Sequence, residues 1–279
     1  MTVPTGIVVQ VSLISLIAVF GLQAAETSSA TATGLPLEGV EAEEFLRNAE
    51  MLKCSEIIAE TSDASGGSRS GCKGVFSDGT KTLKAVFQDR DYFINRQVRI
   101  SGQQVFGWKV RYHHEIAAYE LDKLLGLGMV PPCVDRTVRK REGSLCLWVE
   151  GAMSEFERRT VEKTRPPDLQ DWNKQLRTIK MFMVLINDLG NPKSILIDGN
   201  WKLYKVSSSR AFNEDTKLVR EQKFQLSQQD LDALRALDEQ EVKTTLAPWL
   251  SKKQIKGLIA RRDAIVEMVE EGNAQRGQS

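Results

Sequence analysis

The chain has 279 residues, of which 41% are hydrophobic and 27% charged, with 38 Lys and Arg against 37 Asp and Glu. This composition is typical of a water-soluble globular protein and excludes collagen, a fully disordered chain and a bundle of membrane helices. A formal net charge of +1 gives no overall attraction to nucleic acid or anionic lipid, so neither is expected as a partner of the folded part.

The first element in the chain is an uncharged, mostly apolar run at 7–22, followed by small residues before Glu26. This pattern is typical of a secretory signal peptide over residues 1–25, although no Lys or Arg precedes the run. An uncleaved membrane anchor is the alternative, and it would give the protein its one contact with a membrane. We therefore expect an exported protein, periplasmic or tethered by this run, with a flexible Ser-, Thr- and Ala-rich tether at 26–40.

The next part of the chain, 41–151, is predicted to be rich in strands. Apolar residues at helical spacing predict one helix over 41–53 and a second over 110–126, which ends at a glycine. Alternating patterns bounded by turn residues predict strands between and after these helices. The predicted strands are 55–60, 73–76, 83–88, 133–138 and 144–149.

Four cysteines flank two predicted turns in this part of the chain. Cys133 and Cys146 lie on the two strands of a predicted hairpin, and Cys54 and Cys72 lie on either side of a Gly- and Ser-rich loop. Both pairs are positioned for local disulfides, which persist in exported proteins. Four cysteines allow three pairings, and four buried thiols are an equal alternative on these residues alone.

From residue 152 to residue 279 the pattern becomes helical. A helix is predicted over 168–186, and segments 194–197 and 201–206 form a short hairpin around an Asp-Gly-Asn turn. Two closing helices begin at Ser227 and Ser251 with the spacing of a capping box. This element order predicts an α+β, two-lobed, atypical protein-kinase-like fold, with a small strand-rich N-lobe at 41–151 and a larger helical C-lobe at 152–279.

One stretch carries a more specific resemblance. The sequence His-Glu-Ile-Ala-Ala-Tyr-Glu-Leu-Asp-Lys-Leu-Leu-Gly-Leu at 114–127, followed by Met-Val-Pro-Pro at 129–132, resembles the third-strand-to-helix region of the secretory-pathway kinases that phosphorylate casein-like acidic sites. It is also similar to a family of bacterial phosphatidylinositol-kinase-like proteins. The resemblance continues at 143–151, 201–204 and 209–212, and with weaker matches it extends over nearly everything after the tether.

Phosphoryl transfer needs a cation on the phosphates, a carboxylate that holds that cationic side chain, ligands for Mg²⁺ and an Asp beside the attacking hydroxyl. The resemblance implies where the first two would lie. The family's phosphate-binding lysine falls on Gln88, which carries no charge, whereas Glu115 matches the acidic helix residue that pairs with this lysine. Lys84 shares a strand face with Gln88 and is a candidate substitute, with a solvated strand lysine as the alternative.

The second lobe departs further from the family pattern. The position of the catalytic aspartate falls on Leu189, with Asp188 as a neighbouring candidate. The Mg²⁺-binding amide falls on Ser194 and the metal-binding aspartate on Ser207. Because a hydroxyl is a poor substitute for a carboxylate on Mg²⁺, no metal site is predicted, and ATP bound without metal is the one cofactor left open.

A glycine cluster lies between the first two predicted strands, where kinases carry a flap over the phosphates. Its members are Gly66, Gly67, Ser68 and Arg69. Backbone amides beside an arginine make it a candidate anion-binding loop, although a lone glycine cluster favours a flexible turn.

Together these losses favour an exported pseudokinase that lacks Mg-dependent phosphoryl transfer and acts by binding or scaffolding a protein partner. Two alternatives stay open. One is an active atypical kinase or nucleotidyl transferase, in which Lys84, Glu115 and Asp188 converge on one cleft. The other is a structural envelope protein whose cleft is filled by side chains.

Overall fold

A computed structural model describes residues 33–58, 71–100, 103–188, 192–218 and 226–277. Across these ranges the chain forms seven α-helices, one π-helical turn at Arg158–Glu162, one 3-10 turn at Pro192–Ser194 and ten strands. The helices are α1 Gly39–Asn48, α2 His113–Leu125, α3 Glu155–Glu157, α4 Leu169–Leu185, α5 Gln228–Ala236, α6 Glu239–Leu246 and α7 Lys252–Gly277. The strands are β1 Glu50–Ile58, β2 Gly71–Ser77, β3 Thr82–Gln88, β4 Asp91–Ile100, β5 Gln103–Arg111, β6 Cys133–Val138, β7 Arg141–Leu147, β8 Met153–Ser154, β9 Ile195–Ile197 and β10 Leu203–Lys205. No helix in these ranges is both long and apolar enough to span a membrane.

The N-lobe is built on an antiparallel five-stranded sheet with the strand order β1-β2-β3-β7-β6. Side chains of β3 alternate between the two faces of the sheet. Ala85 and Phe87 are buried on one face, while Lys84 on the other face is exposed. Helix α1 covers this buried face with Phe45 and Leu46. Strands β4 and β5 form a separate hairpin between β3 and α2.

The C-lobe is mainly helical, and its core also includes the buried side of α2. Its one described sheet is small, with the order β10-β9-β8. Helix α4 begins at Asp168, whose carboxylate accepts hydrogen bonds from the backbone N–H groups of Gln170 and Asp171. At the far end of α4, the buried Arg261 of α7 donates from Nε to the carbonyl of Leu185 at 2.8 Å, which satisfies one of the last helical carbonyls.

The predicted helix boundaries are partly wrong. The helix predicted over 41–53 ends at Asn48, because Met51 already pairs with Phe76 in the sheet. The helix predicted from residue 110 starts at His113, because the preceding residues complete β5. Helix α6 and the β4–β5 hairpin were not predicted. The glycine end of α2 is confirmed, since Gly126 has a left-handed φ of 64°.

The capping signals and the cysteine pairs are confirmed. Ser227 accepts a hydrogen bond from the Asp230 amide, and Ser251 exchanges hydrogen bonds with Gln254 in a capping box. Disulfides join Cys54 to Cys72 between β1 and β2, and Cys133 to Cys146 between β6 and β7. The described cysteines are therefore all paired, and the alternative of four buried thiols is wrong.

Candidate functional site

A cluster of buried charges lies where α2 meets the segment that follows β10. Lys205, the last residue of β10, has a side chain that is 0% exposed, and its Nζ lies 2.7 Å from Oδ2 of Asp188. The same ammonium donates to the Val206 carbonyl at 2.6 Å and to Oγ of Ser208 at 3.4 Å. The ammonium thus makes two hydrogen bonds within its own segment and an ion pair with Asp188.

Glu115 of α2 contributes a second carboxylate to this cluster. It is 6% exposed, and its two oxygens accept hydrogen bonds from the backbone N–H groups of Ser208 at 2.9 Å and Ser209 at 2.8 Å. Burial raises the pKa of the Glu115 carboxyl, while the Ser208 amide, the charge of Lys205 and the Ser209 amide oppose that rise. Both carboxylate oxygens are thus engaged by the protein's own backbone.

His114, the neighbour of Glu115 on α2, holds the same segment from another side. Its Nδ1 lies 3.0 Å from the carbonyl of Ser209, and its Nε2 lies 3.0 Å from Nε2 of Gln254. Burial lowers the pKa of His114 to about 3, so the ring is neutral near pH 7. In a neutral ring with these partners, Nδ1 donates to the carbonyl and Nε2 accepts from the amide of Gln254. The Arg111 N–H donates to the same Ser209 carbonyl at 2.8 Å.

Ser207 lies between the buried Lys205 and the segment held by α2. It is exposed and has a φ of 60°, in the left-handed region that a non-glycine residue rarely adopts. Such a conformation persists only where the surrounding contacts enforce it. Here the residues on both sides of Ser207 are held in place. Val206 and Ser208 accept hydrogen bonds from the Lys205 ammonium, and the Ser208 and Ser209 amides donate to the Glu115 carboxylate.

The structure brings Asp188 and Glu115 together around Lys205, but it places Lys84 elsewhere. Nζ of Lys84 lies 2.8 Å from Oε2 of Glu150, in an ion pair whose lysine side chain is 48% exposed. Gln88 pairs with Ser144 of β7 in the same sheet. Ser194 is buried, and its carbonyl accepts a hydrogen bond from the Val206 N–H at 2.9 Å, so it lies beside the end of β10.

Two groups of predicted site residues lie outside the described residues. These are Leu189 and the glycine cluster Gly66, Gly67, Ser68 and Arg69. Among the residues that are described, no group of three or more His, Cys, Asp and Glu side chains is arranged to hold a metal ion.

Sequence reasoning missed Lys205, which organises the site. The signal was present, because Lys205 is the one charged residue in the otherwise apolar and aromatic run 203–206. A lysine inside a short buried strand requires a partner, since burying an unpaired ammonium is very costly. The partner, Asp188, lies seventeen residues earlier and is not visible from local pattern.

The fold and this site define a class of protein. The fold has two lobes and is protein-kinase-like. The first lobe has a five-stranded antiparallel sheet with α2 between β3 and β6 in sequence, and the second lobe is helical with one small sheet. The predicted α+β kinase-like fold is confirmed by comparison with solved structures. The sequence itself matches no protein-family model and no curated protein.

One solved structure supports a Fam20-like fold. The chain is similar to the structure of hydra Fam20 with sugar, at 15% sequence identity and a TM-score of 0.54, over 84% of this chain and 89% of that chain. The chain also matches a Helicobacter pylori proinflammatory kinase, CtkA, at 9% identity and a TM-score of 0.44, over 79% of this chain and 98% of that chain.

Proposed function

We propose that this protein is an exported pseudokinase that has lost Mg-dependent phosphoryl transfer and acts by binding or scaffolding a protein partner. The observation that carries the proposal is the ammonium of Lys205, buried between the carboxylate of Asp188 and the segment bound to Glu115. A kinase leaves such carboxylates available for Mg²⁺ and for a phosphate-binding lysine. Here both carboxylates are occupied by groups of the same chain.

The energetics support a binding role over turnover. Freeing Asp188 for a metal would leave Lys205 buried without its counter-ion, and breaking a buried ion pair costs about 3–5 kcal/mol. Freeing Glu115 would leave two backbone N–H groups unpaired, at about 1–3 kcal/mol each. Ser207 offers a hydroxyl where the family has a carboxylate, and Gln88 supplies no charge.

The alternative of rearranged chemistry requires Lys84 beside Glu115 and Asp188. Lys84 instead pairs with Glu150, which lies in the segment between β7 and β8. Glu115 and Asp188 share Lys205 without it. This separation favours the pseudokinase over the enzyme.

Two features support export. Disulfides persist in oxidising compartments and are rare in the reducing cytosol, and this chain has two. The run at 7–22, which precedes the described residues, has the pattern of a secretory signal.

The test is a thermal-shift titration with ATP, once with Mg²⁺ and once with EDTA, together with transfer assays using ATP labelled at the α- or γ-phosphate. A ligand that binds only the folded state raises Tm by mass action. We expect no Mg-dependent shift and no labelled protein. A shift that is equal with Mg²⁺ and EDTA agrees with a pseudokinase that binds ATP without metal.

A matched pair of variants separates the pseudokinase from the rearranged enzyme. Lys84→Met removes the candidate cation, and Lys81→Met removes another exposed lysine of the same region that pairs with Glu41. Transfer of label that is lost in Lys84→Met and kept in Lys81→Met would overturn the proposal in favour of an active enzyme.

A further inference from the structure

Residues 33–38, which we call the strap, run past the junction of the two lobes just before α1 begins. The junction itself is residues 148–152, the connector between β7 of the N-lobe sheet and β8 of the C-lobe sheet. Gly34 and Glu150 form an isolated antiparallel bridge, in which the Gly34 N–H donates to the Glu150 carbonyl at 2.9 Å and the Glu150 N–H donates to the Gly34 carbonyl at 2.8 Å. The strap therefore adds a backbone partner to the connector.

The strap also contacts the C-lobe. The Tyr204 hydroxyl of β10 lies against the strap, since a Cβ on Gly34 would be 3.5 Å from it, and this hydroxyl donates to Oδ2 of Asp198 at 3.2 Å. Packing here is close, because a Cβ on Gly34 would lie 2.8 Å from Oδ2 of Asp198. A Cβ on Gly199, in the turn between β9 and β10, would lie 2.8 Å from Cγ2 of Thr33. The strap and the β9–β10 hairpin thus fit together with no room for an added methyl group.

The same strap contacts the N-lobe through its apolar residues. Leu35 and Leu37 pack against the core between α1 and the five-stranded sheet. Glu38 adds an ion pair to Lys202 of the C-lobe at 3.2 Å, but both side chains are exposed and such pairs contribute little. The backbone bridge and the leucine packing are therefore the contacts that hold the strap.

The geometry points to a lobe lock: we infer that the strap fixes the two lobes relative to each other and suppresses the hinge motion that a single connector would allow. Two compact parts joined by one short segment rotate about it by default. The strap touches both parts and the connector. A second tie is made by α2, where Glu115 binds the Ser208–Ser209 backbone and His114 contacts Gln254 of α7. The strap and α2 thus both hold the lobes together, and this inference stands whether or not the protein is a pseudokinase.

The experiment asks whether a change in the strap also loosens the contact between Glu115 and the backbone of Ser208 and Ser209. Gly34→Ala places a methyl group against Asp198, whereas Gly39→Ala, at the start of α1, places one where no atom lies within 4 Å. Both glycines have positive φ, 95° and 56°, so both variants carry backbone strain and only the first meets a steric clash. Amide hydrogen exchange of the full chain, resolved to single residues by fragmentation mass spectrometry, reports opening at each tie.

In Gly34→Ala we expect exchange to accelerate about tenfold or more at the Glu150 amide and also at the Ser208 and Ser209 amides, with Gly39→Ala close to wild type at all three. Acceleration at Glu150 alone would overturn the lock, because the strap would then be a local contact. Equal acceleration in both variants would also overturn it, since strain in α1 would explain the result.

A milder variant keeps the test decisive if Gly34→Ala fails to fold. Tyr204→Phe removes the hydroxyl that lies against the strap and donates to Asp198, and it keeps the buried ring. The lock predicts the same three amides accelerated by a smaller factor. Wild-type exchange at Ser208 and Ser209, with faster exchange at Glu150, would contradict it.

Discussion

The ammonium of Lys205 and the carboxylate of Asp188 lie 2.7 Å apart, with 0% and 14% of their side chains exposed. The pair joins the last residue of β10 to a residue just past the end of α4. The charge of Lys205 also acts on the buried carboxylate of Glu115. The ion pair is thus a structural tie, and it is the observation on which the proposed loss of phosphoryl transfer rests.

Lys205→Met is expected to destabilise the protein by about 3–5 kcal/mol, because it breaks an ion pair whose lysine side chain is fully buried and removes the positive charge beside Glu115. Urea denaturation at pH 7 measures the change. Lys84→Met serves as the control: its ion pair with Glu150 is exposed, so its loss should cost about 1 kcal/mol or less. Equal costs for the two variants would show that Lys205 is not held as described.

The double variant Lys205→Met with Asp188→Leu should be markedly more stable than the sum of its two single changes predicts. Each single change breaks the ion pair and keeps the opposite charge in place, whereas the double change removes both charges. A double-mutant cycle in urea gives the coupling free energy, expected at about 1–3 kcal/mol. Additive single effects would contradict a direct interaction between the two side chains.

His114 should make the protein sensitive to acid. Burial lowers the pKa of this imidazole from 6.5 to about 3, so the unfolded chain binds its proton at a higher pH than the folded chain does. The stability that His114 contributes is complete above pH 6.5 and is lost as pH falls from 6.5 towards 3, by about 1.4 kcal/mol per pH unit. The direction follows because protonation favours the unfolded state throughout this window.

The measurement is the free energy of unfolding of wild type and His114→Asn at pH 7, 5.5 and 4. The difference between the two proteins should shrink as pH falls. Asp122, a carboxyl whose pKa burial raises to about 6, changes stability in the opposite direction, but it is present in both proteins and cancels in the difference. Parallel curves would show that His114 does not titrate as described.

Replacing the pair Cys133 and Cys146 with alanine is expected to lower the free energy of unfolding by about 3 kcal/mol. The disulfide closes a loop with a sequence separation of 13, and cross-links of this length remove about that much chain entropy from the unfolded state. Urea denaturation under oxidising conditions measures it. Wild type treated with a reductant should lose more, because the Cys54–Cys72 bond opens as well.

The elements that the sequence predicts well are those with local signals. Ser227 and Ser251 start helices because a serine hydroxyl accepts an N–H bond three residues on, and both cysteine pairs lie on neighbouring strands. Leu52 misled the prediction of the first helix, since it has helical spacing but is 61% exposed on β1. The β4–β5 hairpin escaped because a register shift between Ile94 and Gln97 interrupts its alternation.

The site was less predictable because its contacts are distant in sequence. The sequence identified Glu115 and Asp188 as candidates, but their relation depends on Lys205, which lies ninety residues from Glu115. His114 contacts Gln254, one hundred and forty residues away. No periodic pattern predicts such pairings, because the sequence around each partner indicates only the helix or strand in which that residue lies.

The two disulfides lie at opposite borders of the five-stranded sheet, one joining β1 to β2 and the other joining β7 to β6. Strands of an open sheet separate first at its two edges. Each disulfide joins an edge strand to its neighbour, so the two bonds oppose strand separation at both edges. While the thiols are reduced, both borders are free to open. Formation of both disulfides in an oxidising environment therefore favours the closed, folded sheet.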